Sequence, residues 1–366
     1  MTRMAHTRGT LWASRRVFVT GHTGFKGSWL VQLLHRAGAE IHGYSLAPPT
    51  VPSLFRAAGI EALLRRHVEA DVRDAGRLAD EVAAARPDVV FHLAAQPLVR
   101  RSHRDPVDTF STNVTGTAAL LDAVRRAGRP CAVIVVTSDK CYEPHPDGAP
   151  HAEDDRLGGR DPYSASKACA ELVTASFRAS HFPPHRLGDH GVRVATVRAG
   201  NVIGGGDWAE DRIVTDLVAH LAAGRPVPVR NPLAIRPWQH VLDPLTGYLA
   251  LAESMLADTT GRFCGGWNFG PLPGGDVTVG ELVEAFIAAW GEGSWIDVHD
   301  PRAPVETGAL RLAIDHALAE LPWRPRFPAG EAIRRTAEWY RGFERDPSLA
   351  RALCLADIEA HGNPAS

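Results

Sequence analysis

Cysteine is scarce in this sequence: five residues in a chain of 366, with no pair spaced as CxxC. An odd number of unpaired cysteines argues against a disulfide framework and against a zinc site, and the sequence predicts no metal site. A reducing, cytoplasmic compartment suits such a chain. The five residues are Cys131, Cys141, Cys169, Cys264 and Cys354.

An excess of charge of one sign is also lacking, since 40 lysines and arginines stand against 42 aspartates and glutamates. The net charge of -2 gives no basic field for nucleic acid or a membrane surface. Glycine, proline or a charged residue interrupts every apolar run before it reaches the length of a membrane span. The first 16 residues lack the apolar core of a secretory signal, and we expect a loosely ordered leader there.

Short β-branched runs alternate with helical segments from Arg16 to Arg198, which predicts a parallel sheet covered by helices on both faces. The expected fold is α/β, a Rossmann-type doubly wound sheet. The predicted strands are residues 17–20, 41–44, 66–69, 89–92, 131–137 and 192–198. The predicted helices of this half are residues 27–36, 75–85, 107–127 and 163–180.

The pattern changes after Arg198, where a triple glycine and a proline-rich stretch predict a departure from the sheet. We expect helices at 212–223, 241–256 and 330–341, a further excursion beginning at 267–270, and no assigned structure in the polar tail. The predicted domains are a cofactor domain of residues 15–200 and 237–268, a smaller discontinuous α/β lobe of 201–236 and 269–345, and termini at 1–14 and 346–366.

A strand, a glycine-rich turn and a helix start follow one another near the N-terminus, with glycines in the spacing GxxGxxG. Gly21 permits a tight turn, Gly24 lets the backbone approach a pyrophosphate, and Gly27 allows close helix packing. This context predicts a dinucleotide site. The loop residues assigned to it are Gly21, His22, Thr23, Gly24, Phe25, Lys26 and Gly27.

The acidic residue that usually holds the adenosine ribose is missing, since the second strand ends in Gly-Tyr-Ser-Leu. Charge alone therefore does not decide between NAD and NADP, and Ser45 is the candidate hydroxyl. His22 and Lys26 either reach the pyrophosphate or are solvated loop residues. Asp71 is placed to meet the adenine amine. The remaining predicted cofactor contacts are Val72, Leu93, Ala94, Ala95 and Thr112.

Tyr163 and Lys167 stand four residues apart and share one face of a predicted helix. The Lys167 ammonium is expected to lower the pKa of the Tyr163 phenol, which turns that phenol into a base for a sugar hydroxyl. Tyrosine as packing and lysine as a solvated face is the ordinary alternative. The glycine turn and a strand ending in Ser138 favour the catalytic interpretation.

Asp139 and Lys140 directly follow Ser138 and offer an acid and an amine beside the tyrosine–lysine pair. The amine can act as a base near neutral pH only if burial or a cation lowers its pKa, and the acid must hold a proton. A water-exposed ion pair between the two side chains is the alternative.

These motifs together resemble the extended short-chain dehydrogenase/reductase superfamily, and the resemblance spans nearly the whole chain. Members bind NAD at TGxxGxxG and use a Ser/Thr, Tyr and Lys trio, here Ser138, Tyr163 and Lys167. The Asp139–Lys140 pair stands where many sugar-nucleotide 4,6-dehydratases carry two acids, and it resembles the branch that acts on CDP-glucose. Segments 21–29, 48–55 and 201–208 carry the same resemblance.

The resemblance implies a redox-neutral dehydration with a tightly held, recycled NAD. Tyr163 would deprotonate the 4-hydroxyl as hydride leaves, with Lys167 assisting. Lys140 would remove the proton at carbon 5 and Asp139 would protonate the departing 6-hydroxyl, before hydride returns to carbon 6. On the substrate side, Arg212 and Arg236 would bind the pyrophosphate, and Asn201 and Gln96 would offer amide contacts. Trp208 would either stack on the base or sugar or pack in the core of the smaller lobe.

Three departures and two alternatives accompany this interpretation. The Pro/Gly loop 144–150, two arginines at 156 and 160, and Val-Glu-Thr at 305–307 differ from the pattern of the branch. The first alternative is another NAD-dependent sugar-nucleotide epimerase or dehydratase with a different sugar or base; a 4-epimerase would need Tyr163 and Lys167 but no elimination pair. The second is a non-catalytic nucleotide sensor, which would need neither. The amphipathic segments 107–127 and 163–180 resemble the helices that form a four-helix bundle in homodimers of this superfamily.

Overall fold

A seven-stranded parallel sheet forms the centre of the computed structural model, which describes residues 11–299 and 310–362. The order of its strands is β11-β6-β5-β4-β1-β2-β3. The strands of the described chain are β1 (Arg16–Thr20), β2 (Glu40–Ser45), β3 (Arg66–Glu69), β4 (Val89–His92), β5 (Cys131–Val136), β6 (Val192–Ala199), β7 (Val202–Ile203), β8 (Val227–Val229), β9 (Ile235–Arg236), β10 (Gln239–His240), β11 (Gly265–Phe269), β12 (Val277–Thr278) and β13 (Trp295–Asp297).

Helices cover both faces of the sheet, as the alternation of strands and helices predicts. Those of the described chain are α1 (Phe25–Arg36), α2 (Leu54–Ala57), α3 (Ala75–Ala85), α4 (Val99–Arg104), α5 (Pro106–Phe110), α6 (Gly116–Ala127), α7 (Pro162–Ser180), α8 (Leu187–His190), α9 (Ile213–Ala222), α10 (Leu242–Ala257), α11 (Val279–Trp290), α12 (Asp315–Glu320), α13 (Ala329–Arg345) and α14 (Ala350–His361).

Successive side chains of each central strand enter opposite cores, because strand side chains alternate between the two faces. In β1, Val17 and Val19 join the core that contains α1, α10 and α13, whereas Phe18 joins the core that contains α3 and α6. In β5, Ile134 likewise joins the first of these cores and Val133 joins the second. Both faces are therefore buried, which explains the near-continuous apolar runs of these strands.

A smaller lobe lies beyond β6 and is built from short strand pairs and helices. β8 pairs with β13 in parallel, and β9 pairs with β12 in antiparallel orientation. The fold class expected from the sequence is thus confirmed. The domain boundaries stay a prediction, and the unusual segment 305–307 lies outside the described residues.

The structure departs from the sequence prediction in several elements. Residues 267–269 of the predicted excursion are instead part of β11, the seventh strand of the sheet, which pairs with β6. The predicted continuous helix 107–127 is divided into α5, a π-helical turn at Ser111–Thr115, and α6. The polar tail forms α14, which buries Cys354 and Ile358. In the predicted leader, Trp12 is buried and donates to Glu253.

Candidate active site

The turn between β1 and α1 requires glycine at two positions. Gly21 has a φ of +76°, and a Cβ there would lie 2.6 Å from the backbone nitrogen of Ala94. A Cβ at Gly27 would lie 2.2 Å from the carbonyl oxygen of Gly21. The turn therefore depends on glycine both for backbone conformation and for the approach of α1 to β1.

The N-terminus of α1 is suited to an anion. Gly24 caps the helix without a side-chain hydrogen bond, and the first turn contains no acidic residue. A Cβ at Gly24 would meet only the Gly21 carbonyl oxygen, at 3.4 Å, so the space beside it is open. Free backbone N–H groups and the helix dipole favour a phosphate at such a position. These residues fit the pyrophosphate of a dinucleotide.

Hydroxyl groups rather than a carboxylate stand at the end of β2. Thr23 Oγ1 donates to the carbonyl of Leu46 at 2.9 Å and lies 2.7 Å from Ser45 Oγ, so the Ser45 hydroxyl donates to Thr23. Both side chains are buried. The Ser45 oxygen therefore keeps its acceptor capacity, and no charge at this edge opposes a ribose phosphate.

Asp71 follows β3 as predicted, but its carboxylate is bound to Arg73. Arg73 Nη2 lies 2.5 Å from Asp71 Oδ2, and this hydrogen bond lowers the pKa of Asp71. Val72, the next residue, is buried in the core with α6. A contact of the Asp71 carboxylate with adenine would therefore compete with Arg73.

His22 is neither a solvated loop residue nor a cation for the pyrophosphate. Its ring is buried against Phe55, and Nε2 lies 2.8 Å from Nδ1 of His67. Burial and the neighbouring His67 lower the pKa of His22 to about 3, so the ring is neutral at pH 7. Its ring also lies under Gly43, where a Cβ would meet it at 2.7 Å. His22 packs beneath the turn.

Lys26 is directed toward the reacting residues rather than toward solvent. Burial and the nearby Arg212 lower its pKa to about 8, and the charges of Asp139 and Asp207 oppose that shift. Lys26 in turn lowers the pKa of Lys167. A residue of the glycine turn therefore contributes to the electrostatics of the candidate catalytic group, which sequence spacing did not indicate.

The segment after β4 packs against the glycine turn and the π-helical turn. Leu93 and Ala94 donate their backbone N–H groups to Thr20, and Leu93, Ala94 and Ala95 are partly exposed at the strand end, as predicted. Gln96, by contrast, is buried, and its amide bonds Leu98 and Thr109. Its side-chain amide is therefore occupied by internal hydrogen bonds, and a substrate contact stays a prediction.

The π-helical turn connects this segment to α7. Asn113 Nδ2 donates to the carbonyl of Gln96 at 3.1 Å and to Ser166 Oγ at 2.8 Å. Thr112, a predicted cofactor contact, lies partly exposed in the same turn. The extra residue of a π-helical turn re-aims its neighbours, and such turns are frequent at functional sites.

Ser138, Asp139 and Lys140 lie at the C-terminal end of β5, in a 3₁₀ turn that begins at Asp139. Ser138 Oγ donates to Asp139 Oδ1 at 2.9 Å and accepts from the backbone N–H of Lys140 at 3.2 Å. Asp139 is buried and Lys140 is partly exposed. The two side chains, both described, form no ion pair with each other, so the exposed-pair alternative does not hold.

Tyr163 and Lys167 occupy the first turns of α7, which Asp161 caps by accepting from the Ser164 N–H. Both side chains are buried. Lys167 Nζ donates to the carbonyl of Val136 at 3.1 Å, at the end of β5. The helix thus places both groups against the strand that carries Ser138.

The expected lowering of the Tyr163 pKa is not what the structure gives. Burial raises the pKa of Tyr163 to about 12, and the neighbouring Ser138 hydroxyl only partly opposes this. Burial together with Lys26 lowers the pKa of Lys167 to about 8. Because desolvation penalises both charged forms, it outweighs the lysine–tyrosine attraction anticipated from spacing alone.

A buried ion pair lies beneath these residues. Arg198 donates from Nε and Nη2 to the two carboxylate oxygens of Glu171, both at 2.8 Å, and Thr137 and Thr196 donate to the same carboxylate. We call these four residues the floor network. Burial opposes ionisation, but the hydrogen bonds and charge of Arg198 lower the pKa of Glu171. Glu171 follows Lys167 by four residues, so the helix period places it on the same face.

A cavity of about 390 Å³ opens above this centre. Asp139 and Lys140 line it on one side, and Asn201 and Arg236 line it on another. Arg212 is paired with Asp207 at 3.3 Å, and its charge acts on Tyr163 and Lys26. Trp208 packs against Trp339, Tyr340 and Phe343, which is the core role weighed above.

The chain matches known proteins over most of its length. Residues 17–263 match the model of the NAD dependent epimerase/dehydratase family. The solved structure of a dTDP-glucose 4,6-dehydratase from Streptomyces venezuelae with NAD bound superimposes with a TM-score of 0.74 at 26% identity, over 91% of this chain and 99% of that one. The protein therefore belongs to the NAD dependent epimerase/dehydratase family, as its motifs predict.

Two curated relatives narrow the comparison. A CDP-glucose 4,6-dehydratase of Salmonella typhimurium is 45% identical over 339 residues, which cover 92% of this chain and 94% of the relative. A dTDP-glucose 4,6-dehydratase of Streptomyces antibioticus is 34% identical over 337 residues, covering 89% and 92%. Similarity to the CDP-sugar relative is thus the higher of the two. None of the helices that the structure describes is long and apolar enough to cross a bilayer.

Proposed function

We propose that this chain is an NAD-dependent CDP-glucose 4,6-dehydratase, which converts CDP-D-glucose into CDP-4-keto-6-deoxy-D-glucose for deoxysugar biosynthesis. The observation that carries the proposal is the placement of Asp139 and Lys140 on the wall of one cavity, directly after Ser138 and beside Tyr163. The 45% identity to a CDP-glucose 4,6-dehydratase over 92% of the chain supports the choice of substrate.

The cofactor would be held by the glycine turn and the strand ends around it. The α1 N-terminus would bind the pyrophosphate, Ser45 the adenosine ribose, and Lys167 the nicotinamide ribose. NAD held by these residues would supply reversible hydride transfer, from carbon 4 of the sugar and back to carbon 6. The remaining predicted contacts stay proposals, with Asp71 restrained by Arg73 and His22 supporting the turn from below.

The first chemical task of the protein is to remove the proton of the 4-hydroxyl. Ser138 would orient that hydroxyl and Tyr163 would take its proton. The buried phenol, with its pKa raised to about 12, resists ionisation, so the Lys167 ammonium one helical turn away is needed to stabilise phenolate. Lys167, with a pKa of about 8, is mostly protonated at pH 7 and can supply that charge.

The second task is the loss of water across carbons 5 and 6. Lys140 would remove the proton at carbon 5, which the neighbouring ketone has made acidic, and Asp139 would protonate the departing 6-hydroxyl. Burial of Asp139 against Ser138 keeps this acid inside the site and away from bulk water. The two groups act on the substrate in turn, since they do not pair with each other.

The nucleotide half of the substrate would extend toward the smaller lobe. Arg236 and Asn201 line the cavity and are proposed contacts of the diphosphate and sugar, and Arg212 is a third candidate from the start of α9. Gln96 and Trp208 are better explained as structural residues. The cofactor domain would comprise 15–200 and 237–268, and the substrate lobe 201–236 and 269–345.

The proposed assembly is a homodimer in the cytoplasm. Val107 is 80% exposed and Leu172 is 59% exposed, on the two segments expected to pair in a four-helix bundle. Such apolar exposure on neighbouring helices favours burial by a second copy. All five cysteines are free, which suits a reducing compartment.

A substrate panel tests the proposed activity. The purified protein, supplied with NAD, is incubated with the glucose conjugates of CDP, dTDP, UDP and GDP, and the 4-keto-6-deoxy product is followed by its absorbance in alkali. We expect product from CDP-glucose, and a loss of about 10² to 10⁴ in kcat for Tyr163→Phe, the size of a lost acid–base group. No product from CDP-glucose would refute the assignment.

Replacement of Lys140 separates the proposal from its rivals. Lys140→Met should stop the reaction at the 4-ketone, because the proton at carbon 5 can no longer be removed, and solvent deuterium should no longer enter the sugar. A 4-epimerase would keep its turnover in this variant. A non-catalytic sensor would bind NAD but leave every conjugate unchanged in the wild-type protein as well.

A further inference from the structure

The segment between β5 and α7 carries two histidines and an aspartate that meet at the cavity wall. His145 Nε2 lies 2.8 Å from Asp155 Oδ2, and His151 Nδ1 lies 3.3 Å from the same oxygen. One ligand atom of each residue lies within 4.8 Å of the other two. We call residues 142–155 the cavity loop, since His145 and His151 both line the cavity.

His151 is held rigidly in place. Its backbone exchanges hydrogen bonds with Arg311 and Ala313, and its carbonyl also accepts from Asn268 Nδ2 at 2.9 Å. Its ring stacks on Tyr142 with centroids 4.7 Å apart and an interplanar angle of 5°. Asn268 accepts a hydrogen bond from Tyr142, so the same network fixes the stacking partner. The ring is preorganised rather than free to rotate.

The side chain of His151 is only 2% exposed, and its buried Nδ1 atom makes no hydrogen bond. A buried ring nitrogen without a partner costs free energy, and in native proteins such atoms call for an explanation. Here the atom is directed toward Asp155 and His145.

The two donor separations that involve Asp155 match a small divalent ion, and the two histidine nitrogens lie within 4.8 Å of each other. Zinc binds imidazole nitrogen and carboxylate oxygen at about 2.0 to 2.2 Å in tetrahedral geometry, which places neighbouring ligand atoms roughly 3.3 Å apart. The separations of 2.8 and 3.3 Å around Asp155 Oδ2 lie near this value. Two imidazoles and one carboxylate are a donor set that suits zinc and other late first-row metals.

We propose that His145, His151 and Asp155 form a binding site for a zinc-type divalent metal ion, with the fourth coordination position open to the cavity. The metal would replace the proton that His145 Nε2 shares with Asp155. The open position would take water or an oxygen of a bound sugar nucleotide. Asp139 lines the same cavity as His145 and His151, so the ion would lie on the wall that also holds the candidate catalytic acid. The expectation of no metal was drawn from cysteine spacing and did not consider a site made of histidine and carboxylate donors.

The site does not rest on the proposed dehydratase activity, because it is defined by three donors and one buried orphan atom. One of its ligands, His145, falls in the part of the sequence that departs from the 4,6-dehydratase pattern, the Pro/Gly loop 144–150, and the other two follow that loop. An ion at this position would pin that loop to the rigid His151 and so fix one edge of the cavity mouth.

Metal binding by the full-length protein is the direct test. The protein is stripped with EDTA, desalted and titrated with zinc chloride by calorimetry, and cobalt chloride is used in parallel for the visible absorption of a tetrahedral site. We expect one equivalent of tight zinc. His145→Ala and Asp155→Asn should each weaken this binding by at least about tenfold, since even loss of an outer-shell partner has that effect.

A matched control separates the site from other histidines. His185→Ala removes an exposed imidazole outside the cavity and should leave the tight equivalent unchanged. His145 lies on a partly exposed loop, and the melting temperature of its variant in EDTA checks that the fold is retained. Absence of a tight equivalent in the wild-type protein, or equal binding in the wild-type, His145→Ala and Asp155→Asn proteins, would overturn the proposal.

Discussion

The floor network, which lies beneath the cavity without lining it, and the cavity loop, which lines it, are built in opposite ways. In the floor network, Glu171 and Arg198 have side chains only 4% and 6% exposed, and every carboxylate oxygen has two donors. In the cavity loop, His145 and Asp155 are 34% and 26% exposed, and one ring nitrogen of the cluster has no partner. The hydrogen bonds of the floor network are all satisfied without a ligand, whereas the cavity loop keeps a ring nitrogen that a ligand could bind.

This difference suggests two separate roles: the floor network positions the reacting groups, and the cavity loop affects which ligand is bound. The floor network fixes the ends of β5 and β6 and the face of α7 that carries Tyr163 and Lys167, so it positions groups that every related reaction needs. The cavity loop contains the Pro/Gly segment 144–150 and lines the cavity. Loops on a fixed scaffold can change what is bound without disturbing the reacting groups.

The largest change in the free energy of unfolding is expected from a substitution in the floor network. Glu171→Gln leaves the Arg198 guanidinium buried without a counter-ion and should lower the free energy of unfolding by about 3 to 5 kcal/mol. Urea denaturation at pH 7 measures it. The matched control is Glu338→Gln, which breaks an exposed pair with Arg334 on α13 and should cost less than about 1 kcal/mol. Equal losses in the two variants would contradict the contrast between floor and surface.

A smaller, pH-dependent effect is expected from Lys167, whose pKa burial lowers to about 8. Between pH 8 and the unfolded value near 10.5, the unfolded chain binds more protons at this group than the native chain. Burial of the Lys167 ammonium therefore lowers the free energy of unfolding by its full amount below pH 8. As pH rises above 8, the free energy of unfolding recovers by up to about 1.4 kcal/mol per pH unit. Lys167→Met lacks this contribution.

Urea denaturation of both proteins at pH 7.5, 8.5 and 9.5 checks the Lys167 prediction. The free energy of unfolding of Lys167→Met minus that of the wild type should decrease as pH rises, because only the wild type gains stability from deprotonation of this amine. Two parallel curves across this pH range would show that Lys167 has no lowered pKa in the native protein.

The smallest effect is expected from the cavity loop. His145→Ala in EDTA should change the free energy of unfolding by no more than about 0.5 kcal/mol, as for other surface positions. Added zinc should stabilise the wild-type protein but not the variant, since only a ligand that binds the native state shifts the equilibrium. A large loss in EDTA would mean that the His145–Asp155 hydrogen bond is itself structural.

The sheet could be predicted from the sequence where β-branched runs are dense. The sequence predicts the first six strands to within one residue at either end, and β1, β4, β5 and β6 are recognised by their apolar or β-branched residues. β11 was missed as a strand, since Gly265 to Phe269 contains no β-branched residue and is held by pairing with β6. The break at Ser111–Thr115 was missed because a π-helical turn has no local sequence signal.

The candidate site was predictable where its residues are close in sequence. Ser138, Asp139 and Lys140 are consecutive, and Tyr163 and Lys167 share a helix face, so their grouping followed from local rules. The burial of His22 against His67 depends on a partner 45 residues away, and the occupied amide of Gln96 depends on Thr109. The raised pKa of Tyr163 comes from burial, which spacing does not report.

The C-terminal helix α14 has a practical consequence for protein engineering. His361 at its end lies 2.8 Å from Asp243 at the start of α10, and Arg326 bonds both residues. A protein truncated after Arg345 would leave the Asp243 carboxylate buried without its histidine and would strip the apolar cover of Cys354 and Ile358 from the body. Trimming the polar tail to improve crystals would therefore yield an aggregation-prone product, and affinity tags belong after the final helix.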